Sequence, residues 1–184
     1  MKSASNLHDA LHARLAQVKL VLLDVDGVLT EGGVTWTTEG VEHKTFHIRD
    51  GLGIRLWQRA GGLTGIVTGR ASRVVQLRAE ELGIGIVRQG VEDKLETTAA
   101  ILAECGVSWE QTAFVGDDLP DLAVMTRCGV GVAVANACPE VVESAAIVTR
   151  LPGGQGAVRE VIEQMLKARG SWEALVRRYQ PVSA

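Results

Sequence analysis

Residues 19–28, with the sequence KLVLLDVDGV, decide the fold of this chain. Four apolar residues, Leu20 to Leu23, run without interruption into Asp24-Val25-Asp26-Gly27. An apolar run of this length that ends at a glycine turn is typical of a buried strand in a parallel sheet. Ligands of open α/β sheets bind beyond the carboxyl ends of such strands, so the two acids mark a candidate functional site.

The two carboxylates of this segment, Asp24 and Asp26, lie two residues apart. Side chains at that spacing point to the same side of an extended chain. Neighbouring carboxylates repel each other unless a cation or a shared proton relieves them. The pair therefore predicts a metal-assisted catalytic site, with a turn followed by a helix cap as the structural alternative.

The bulk properties predict one globular domain, residues 1–184. The hydrophobic fraction is 46%, which is enough for a sizeable core, and the net charge of -3 disfavours binding to a nucleic-acid backbone. The three cysteines form no CxxC motif, so free thiols in a reducing compartment are expected. The N-terminus lacks the apolar core of a signal peptide, and no apolar run approaches the length of a membrane span. We expect a cytoplasmic protein with no nucleic-acid partner and no membrane partner.

Strand and helix patterns alternate along the chain after Gly51, which predicts an α/β fold with a central parallel sheet between two helical layers, a Rossmann-like sandwich. A β-hairpin flap at about 33–47, turning at Thr38-Glu39-Gly40, separates the first strand from this alternation. The predicted strands of the sheet are 19–25, 63–67, 84–88, 112–116, 130–134 and 146–149. The predicted helices are 5–17, 51–60, 71–82, 93–104, 119–126, 138–143, 157–168 and a short one from 171, in a C-terminal tail of about 169–184.

Chemically active side chains follow several of these strands, and in a parallel sheet the strand ends meet at one edge. The set consists of carboxylates, a hydroxyl and cations: Asp24, Asp26, Thr68, Arg70, Lys94, Asp117, Asp118 and Asp121. It suits phosphoryl transfer, in which catalysis consists mainly of positioning and charge neutralisation. Taken singly, Thr68 and Asp118 also suit helix caps, and Lys94 a solvated helix residue.

The four motifs DVDGV (24–28), Thr68, Lys94 and GDDLPD (116–121) resemble, in this order and across nearly the whole chain, those of the haloacid dehalogenase-like phosphatases. The resemblance implies that Asp24 attacks phosphorus and forms an aspartyl phosphate. It implies that Asp26 protonates the leaving alkoxide and then activates water. Mg²⁺ is then expected on the Asp24 carboxylate, the Asp26 backbone carbonyl and the Asp117 carboxylate.

The resemblance also assigns the remaining motif residues. Thr68 and Lys94 would hold the phosphoryl oxygens, and Asp118 and Asp121 would support Lys94 or metal-bound waters. A receiver domain of a response regulator is the alternative from another class, because it also gathers acids, a Thr and a Lys around Mg²⁺. Asp26 and the hairpin disfavour that alternative. A non-catalytic binding subunit is a further alternative, disfavoured because every motif position carries the expected residue type.

The hairpin is the only part of the chain that could serve as a cap, so the resemblance is to the capless type of these phosphatases. Trp36 and Phe46 would leave apolar surface in water on a monomer. We therefore expect the hairpins to pack against neighbouring subunits in a homotetramer.

Four arginines follow the hairpin, which is more than binding of a phosphate alone requires: Arg49, Arg55, Arg70 and Arg78. The guanidinium group of arginine is suited to bidentate binding of a carboxylate. A substrate that carries both a phosphate and a carboxylate would explain them. The segments DVDGVLTEGG, FHIRDGLGIR, TGR, GDDLPD and GGQGAVRE resemble those of capless members that hydrolyse an eight-carbon sugar acid phosphate, 3-deoxy-D-manno-octulosonate (KDO) 8-phosphate, in lipopolysaccharide precursor synthesis. Implied substrate contacts are Asp26, His47, Ile48, Arg49, Asp50, Gly51, Arg55, Arg70, Arg78 and Lys94.

Three points stay open from the residues. Related capless phosphatases act on nine-carbon sugar acids, sialic acid or KDN 9-phosphate, and both substrate classes pair a carboxylate with a phosphate. The family pattern often has Asn at the position of His47. The glycines of Gly153-Gly154-Gln155-Gly156 suit either an anion cradle or a flexible hinge.

Overall fold

The secondary structure is that of a computed structural model, which describes residues 4–180. The strands are β1 (Leu20–Leu23), β2 (Thr35–Trp36), β3 (Glu42–His43), β4 (Leu63–Thr68), β5 (Ile86–Gln89), β6 (Thr112–Gly116), β7 (Val130–Ala133) and β8 (Ile147–Val148). The α-helices are α1 (Ala4–Gln17), α2 (Ile48–Arg59), α3 (Arg73–Leu82), α4 (Lys94–Cys105), α5 (Leu122–Arg127), α6 (Pro139–Ser144), α7 (Ala157–Ala168) and α8 (Trp172–Arg177). The predicted tail extends into 181–184, outside the described residues.

Six of the strands form one parallel sheet in the order β5-β4-β1-β6-β7-β8, which confirms the predicted α/β class. β1 lies at the centre and pairs with β4 on one side and β6 on the other. The chain order reverses direction across the sheet at β1, and this is the place where open α/β sheets bind ligands. The residues that follow β1, β4 and β6 are therefore brought to one edge.

The core lies on both faces of the sheet because successive β1 side chains point in opposite directions. Val21 and Leu23 pack with α1, α2, α3, α7 and α8, whereas Leu20 and Leu22 pack with α4, α5 and α6. All four are fully buried, and each such side chain contributes about 1.5 to 3 kcal/mol to folding. This two-sided burial explains why β1 is an uninterrupted apolar run rather than an alternating one.

The flap is a short antiparallel hairpin, with Thr35 opposite His43 and Trp36 opposite Glu42. Trp36 is 56% exposed and Val41 54% exposed on the single chain, as expected for Trp36, whereas Phe46 is partly buried because it packs against the core. Ile48, at the start of α2, is 78% exposed. Trp36 lies opposite Glu42, and Val41 directly precedes Glu42, so Trp36 and Val41 are exposed on opposite faces of the hairpin.

Two predicted helices differ from the structure in their first turns. The helix predicted over 51–60 begins three residues earlier, at Ile48, because His47 caps it. In place of a helix over 119–126, a 3-10 turn spans Leu119–Asp121 and α5 follows it. Pro120 has no N–H and cannot donate a backbone hydrogen bond. The preceding N–H, that of Leu119, donates to the Asp118 carboxylate, which caps the turn. This tight turn directs Asp121 back under the loop after β6.

Within residues 4–180, no helix combines the length and the apolarity required to cross a bilayer.

Candidate active site

A pocket of about 470 Å³ opens at the edge of the sheet where β1, β4 and β6 end. It brings together eight of the residues singled out in the sequence: Asp24, Asp26, Thr68, Arg70, Lys94, Asp117, Asp118 and Asp121. They come from three segments, at the ends of β1, β4 and β6, and from the first turn of α4. The convergence expected from the parallel sheet is therefore present in the structure.

Gly27 permits the close approach of the loops after β1 and β6. It has a φ of +90°, a region that favours glycine, and a Cβ there would lie 2.0 Å from Asp117 Oδ2. Any side chain at this position would displace the Asp117 carboxylate. The glycine of the DVDG motif thus places Asp117 beside Asp24.

Three carboxylates, those of Asp24, Asp117 and Asp121, have oxygens within 4.8 Å of one another. The Asp121 carboxylate is fully engaged, because Oδ1 accepts from Lys94 Nζ at 2.6 Å and Oδ2 accepts from the backbone N–H of Asp117 at 3.0 Å. Asp24 Oδ1 and Asp117 Oδ1 are buried and have no hydrogen-bond partner among the described residues. These two oxygens, and not those of Asp121, are available to a cation.

The single positive charge of Lys94 does not balance the negative charge of the three carboxylates. Burial, with the nearby Asp24 carboxylate as the next cause, raises the pKa of Asp117 to about 7. Burial also raises the pKa of Asp24, and Lys94 opposes this shift. Burial acts to lower the pKa of Lys94, but Asp24 and Asp121 outweigh it, so this pKa is raised and the ammonium stays charged. One lysine thus faces three carboxylates, and a divalent cation would supply the missing positive charge.

The donor set fits Mg²⁺. The predicted ligands, Asp24, the Asp26 carbonyl and Asp117, belong to residues that line one pocket and offer only oxygen atoms. Two of the carboxylate oxygens are buried and unpaired, which is costly in the absence of a positively charged partner. Asp118 accepts from the Leu119 N–H, and Asp121 accepts from Lys94 and from the Asp117 N–H.

The phosphate-binding candidates, Thr68 and Lys94, line the same pocket. Thr68 is the last residue of β4 and is 2% exposed. Lys94 is the first residue of α4, which is capped by Asp93, whose carboxylate accepts the Glu96 N–H at 2.9 Å. The Nζ of Lys94 lies 3.1 Å from Asp24 Oδ2. The Lys94 ammonium is therefore placed beside the carboxylate that the resemblance identifies as the nucleophile, and Thr68 lines the same pocket.

Two functional candidates were not found from the sequence, Glu42 and Lys44 of the hairpin. Lys44 forms an ion pair with Asp26, and Glu42 forms one with Arg70 at 3.0 Å. The two side chains lie on the same face of the hairpin because they are two residues apart in an extended segment. The alternation in GVEHKTF could have placed them together, but nothing local indicates that they turn towards Asp26.

Several predicted substrate contacts lie outside the pocket of Asp24. Arg49 lines a separate cleft with Arg150 and Arg159. Arg55 donates to the backbone oxygen of Glu81, and Arg78 pairs with the Glu81 carboxylate at 2.7 Å. His47 caps α2, Ile48 is exposed, and Gly51 packs against the Arg78 guanidinium. Within the described part of one chain, Arg70 is the predicted arginine contact that reaches the pocket.

Asp50 has a structural role in this fold. It is 1% exposed, and its Oδ1 accepts from the backbone N–H of Arg159 in the first turn of α7 at 2.7 Å. Burial raises the pKa of this carboxyl, which the Arg159 N–H opposes. We therefore assign Asp50 to holding α7 against α2, in place of the substrate contact that the resemblance implies.

The glycines at 153–156 also have a packing explanation. A Cβ on Gly153 would lie 1.6 Å from the backbone oxygen of Gly27, and the Gly154 N–H donates to Val28 O at 2.9 Å. The segment thus presses on the loop that carries Asp24 and Asp26. Close backbone approach, rather than an anion cradle or a hinge, accounts for the glycine at position 153.

Comparison with known proteins agrees with this geometry. Residues 83–162 match the haloacid dehalogenase-like hydrolase family. The 3-deoxy-D-manno-octulosonate 8-phosphate phosphatase of Escherichia coli K12 is 42% identical over 158 residues, which are 86% of this chain and 84% of that protein. The enzyme of the same name from Yersinia pestis is 41% identical over 165 residues, or 90% and 88% of the two chains.

The solved structures give the same result. The crystal structure of the 3-deoxy-D-manno-octulosonate 8-phosphate phosphatase of Moraxella catarrhalis, in complex with magnesium ion, phosphate ion and KDO, superposes with a TM-score of 0.92 at 37% identity. The match covers 94% of this chain and 99% of that one. A cobalt-bound phosphatase from Haemophilus influenzae superposes with a TM-score of 0.85 at 37% identity, over 88% of this chain and 94% of that one. The chain belongs to the 3-deoxy-D-manno-octulosonate 8-phosphate phosphatase family of haloacid dehalogenase-like hydrolases.

Proposed function

We propose that this chain is a Mg²⁺-dependent phosphomonoesterase that hydrolyses KDO 8-phosphate to KDO and phosphate, a step in the synthesis of lipopolysaccharide precursors. The observation that carries the phosphatase activity is the pair of buried, unpartnered oxygens, Asp24 Oδ1 and Asp117 Oδ1, beside Lys94. The substrate follows from the family, whose members carry that activity in their names.

In the first half-reaction, an oxygen of the Asp24 carboxylate attacks phosphorus. The bond between phosphorus and the sugar oxygen breaks, and Asp26 donates a proton to that leaving oxygen. The products of this step are the free sugar acid and a phosphoryl group on Asp24. Asp26 is suited to the task because it lines the pocket two residues after Asp24, on the same loop.

In the second half-reaction, Asp26 takes a proton from water, and the water oxygen attacks the phosphorus of the aspartyl phosphate. The bond between phosphorus and Asp24 breaks, which releases phosphate and restores the Asp24 carboxylate. Thr68 and Lys94 hold the phosphoryl oxygens in both steps, and Asp121 keeps the Lys94 ammonium in place through its 2.6 Å contact. Bound Mg²⁺ supplies positive charge against the phosphoryl group and the carboxylates.

We propose a homotetramer in which the hairpin flaps pack against neighbouring subunits. The exposed apolar side chains of Val34, Trp36, Val41 and Ile48, on and beside the flap, support this assembly. The position of Arg49 outside the pocket supports it too, because an exposed arginine of a neighbouring subunit would be available to the substrate carboxylate. The proposed location is the cytoplasm, which agrees with the free thiols of Cys105, Cys128 and Cys138.

The mass of the protein in solution tests the assembly. We expect light scattering at micromolar concentration to give four times the chain mass of 19.6 kDa. Replacing Trp36 with Asp on the exposed face of the flap should shift the protein towards smaller species, since it places a charge in an apolar contact. Wild-type protein that elutes as a monomer contradicts the proposal.

Phosphate release on two substrates tests the proposed reaction. We expect KDO 8-phosphate to exceed sialic acid 9-phosphate by at least about tenfold in kcat/KM, a ratio within the range that pocket shape alone provides. Chelation of the metal should remove activity on both, and added Mg²⁺ should restore it. Faster turnover of the nine-carbon substrate assigns the chain to that alternative, and equal rates on simple phosphomonoesters reject both sugar acids.

A further inference from the structure

Four charged side chains form a closed ring at the mouth of the pocket, here called the ion-pair ring: Asp26, Lys44, Glu42 and Arg70. Lys44 Nζ contacts Asp26 Oδ1 and lies 3.6 Å from Glu42 Oε1. Arg70 closes the ring, with Nε 3.4 Å from Asp26 Oδ2 and its terminal nitrogen 3.0 Å from Glu42 Oε1. Positive and negative groups alternate, so the ring carries no net charge when Asp26 is ionised, the state in which Asp26 takes a proton from water.

Lys44 is the least accessible member of the ion-pair ring. Its side chain is 1% exposed, against 9% for Glu42, 18% for Asp26 and 43% for Arg70. An ammonium buried to this degree is tolerated only where carboxylates compensate for its lost hydration. Asp26 and Glu42 supply that compensation, which fixes the side chain of Lys44 within the ring.

Glu42 ties the ion-pair ring to the body of the domain. Its Oε2 accepts a hydrogen bond from the Ser72 hydroxyl, and this bond is the main reason why the pKa of Glu42 is lowered. Ser72 is itself the N-cap of α3, where its side chain accepts from the Val75 N–H. The hairpin is therefore held between the loop after β1 and the first turn of α3.

We propose that Lys44 is a positioning residue that holds the Asp26 carboxylate in place for proton transfer, and that Glu42 keeps Lys44 there. This inference rests on the proposed function, because it takes Asp26 as the acid and base of that reaction. Lys44 contacts Asp26 Oδ1 and thereby restricts rotation of the Asp26 carboxylate. The other oxygen, Asp26 Oδ2, then lies next to Arg70, which lines the pocket. A proton donor must lie within hydrogen-bond reach of the atom that it serves.

The leaving group decides whether the first half-reaction depends on Asp26, whereas the second half-reaction depends on Asp26 with every substrate. A sugar alkoxide requires a proton from Asp26 to leave, whereas the nitrophenolate of p-nitrophenyl phosphate leaves without one. Hydrolysis of the aspartyl phosphate requires Asp26 as base for either substrate. A misplaced Asp26 therefore slows both steps for the sugar phosphate but only the second step for the aryl phosphate.

The experiment uses full-length Mg²⁺-loaded protein with Lys44→Met, rapidly mixed with p-nitrophenyl phosphate. We expect a burst of about one nitrophenolate per active site followed by a slow steady state, while kcat for KDO 8-phosphate falls by about 10²-fold. Lys44→Arg should recover most of the activity, because it restores the charged contact to Asp26. Lys167→Met, at a lysine side chain that is 53% exposed, is the matched control and should behave as wild type.

Two results overturn the proposal. Loss of the burst together with an equal loss on both substrates assigns Lys44 to the fold, and unchanged rates on both substrates remove it from the reaction. Should Lys44→Met not fold, Glu42→Gln provides the same test, since it weakens the hold on Lys44 with the shape of the side chain retained. A wild-type protein that leaves KDO 8-phosphate intact contradicts the proposed substrate only, because the aryl phosphate burst can still be measured.

Discussion

Asp24→Asn is expected to lower kcat on any phosphomonoester by at least about 10⁴-fold, because it removes the nucleophile. An amide oxygen is a poor nucleophile, and the neutral side chain also replaces one of the two unpartnered carboxylate oxygens by a weaker ligand for the cation. The shape of the side chain is retained, so the loss reports on chemistry. Steady-state phosphate release with saturating Mg²⁺ measures it.

The fold should survive this substitution. Asp24 lies among three carboxylates within 4.8 Å, and replacing one of them with a neutral amide relieves repulsion in the metal-free protein. Lys94 keeps its 2.6 Å contact to Asp121. We expect a thermal midpoint no lower than that of wild type, with the exposed substitution Asp9→Asn as the matched control for both assays. An Asp24→Asn protein with wild-type turnover removes Asp24 as nucleophile.

Lys94→Met is expected to lower the free energy of unfolding of the metal-free protein by about 3 to 5 kcal/mol. The side chain of Lys94 is 4% exposed and is the ammonium that faces both Asp24 and Asp121. Its removal leaves these buried carboxylates without a cation, and it withdraws a ligand of the phosphoryl oxygens. Urea unfolding in the presence of a chelator measures the stability.

Added Mg²⁺ should recover part of that stability, because the bound cation compensates for the same carboxylates. Phosphatase activity should stay low in the variant, since the cation does not replace the contact of Lys94 with phosphate. Lys167→Met alters an exposed lysine whose contacts are Glu163 and the Trp172 ring, so it is expected to leave the activity unchanged and to shift the free energy of unfolding by no more than about 1 kcal/mol. Unfolding of Lys94→Met at the wild-type urea concentration contradicts the role of Lys94 as counter-ion.

The fold was predictable because its elements have strong and local signals. Helix α7 occupies the predicted range 157–168, where apolar residues recur at helical spacing along a single buried stripe. The uninterrupted apolar run of β1 predicted a strand buried on both faces, and both core clusters include its side chains. The exception at 119–121 depends on a proline and a capping carboxylate, whose local effect overrides the helical periodicity.

The core of the site was predictable from strand order, since the ends of β1, β4 and β6 must meet at one edge of a parallel sheet. The division of work among the acids was not, because it depends on which oxygens are already engaged. Asp121 accepts from Lys94 and from the backbone, whereas Asp117 keeps one oxygen unpaired. The contact of Lys44 with Asp26 depends on how the flap folds back over β1, and the packing of Gly153 on Gly27 joins residues 126 positions apart.

The most direct test of the account is to trap the phosphoryl group on Asp24. Asp26→Asn, mixed with p-nitrophenyl phosphate and Mg²⁺ and quenched in acid, should accumulate the intermediate, because the first step needs no acid and the second lacks its base. Peptide mass spectrometry is then predicted to place one phosphoryl group on Asp24, in the peptide that spans β1 and the DVDG turn. Release of nitrophenolate beyond one equivalent with no phosphorylated peptide, or phosphorylation of another residue, would contradict the account.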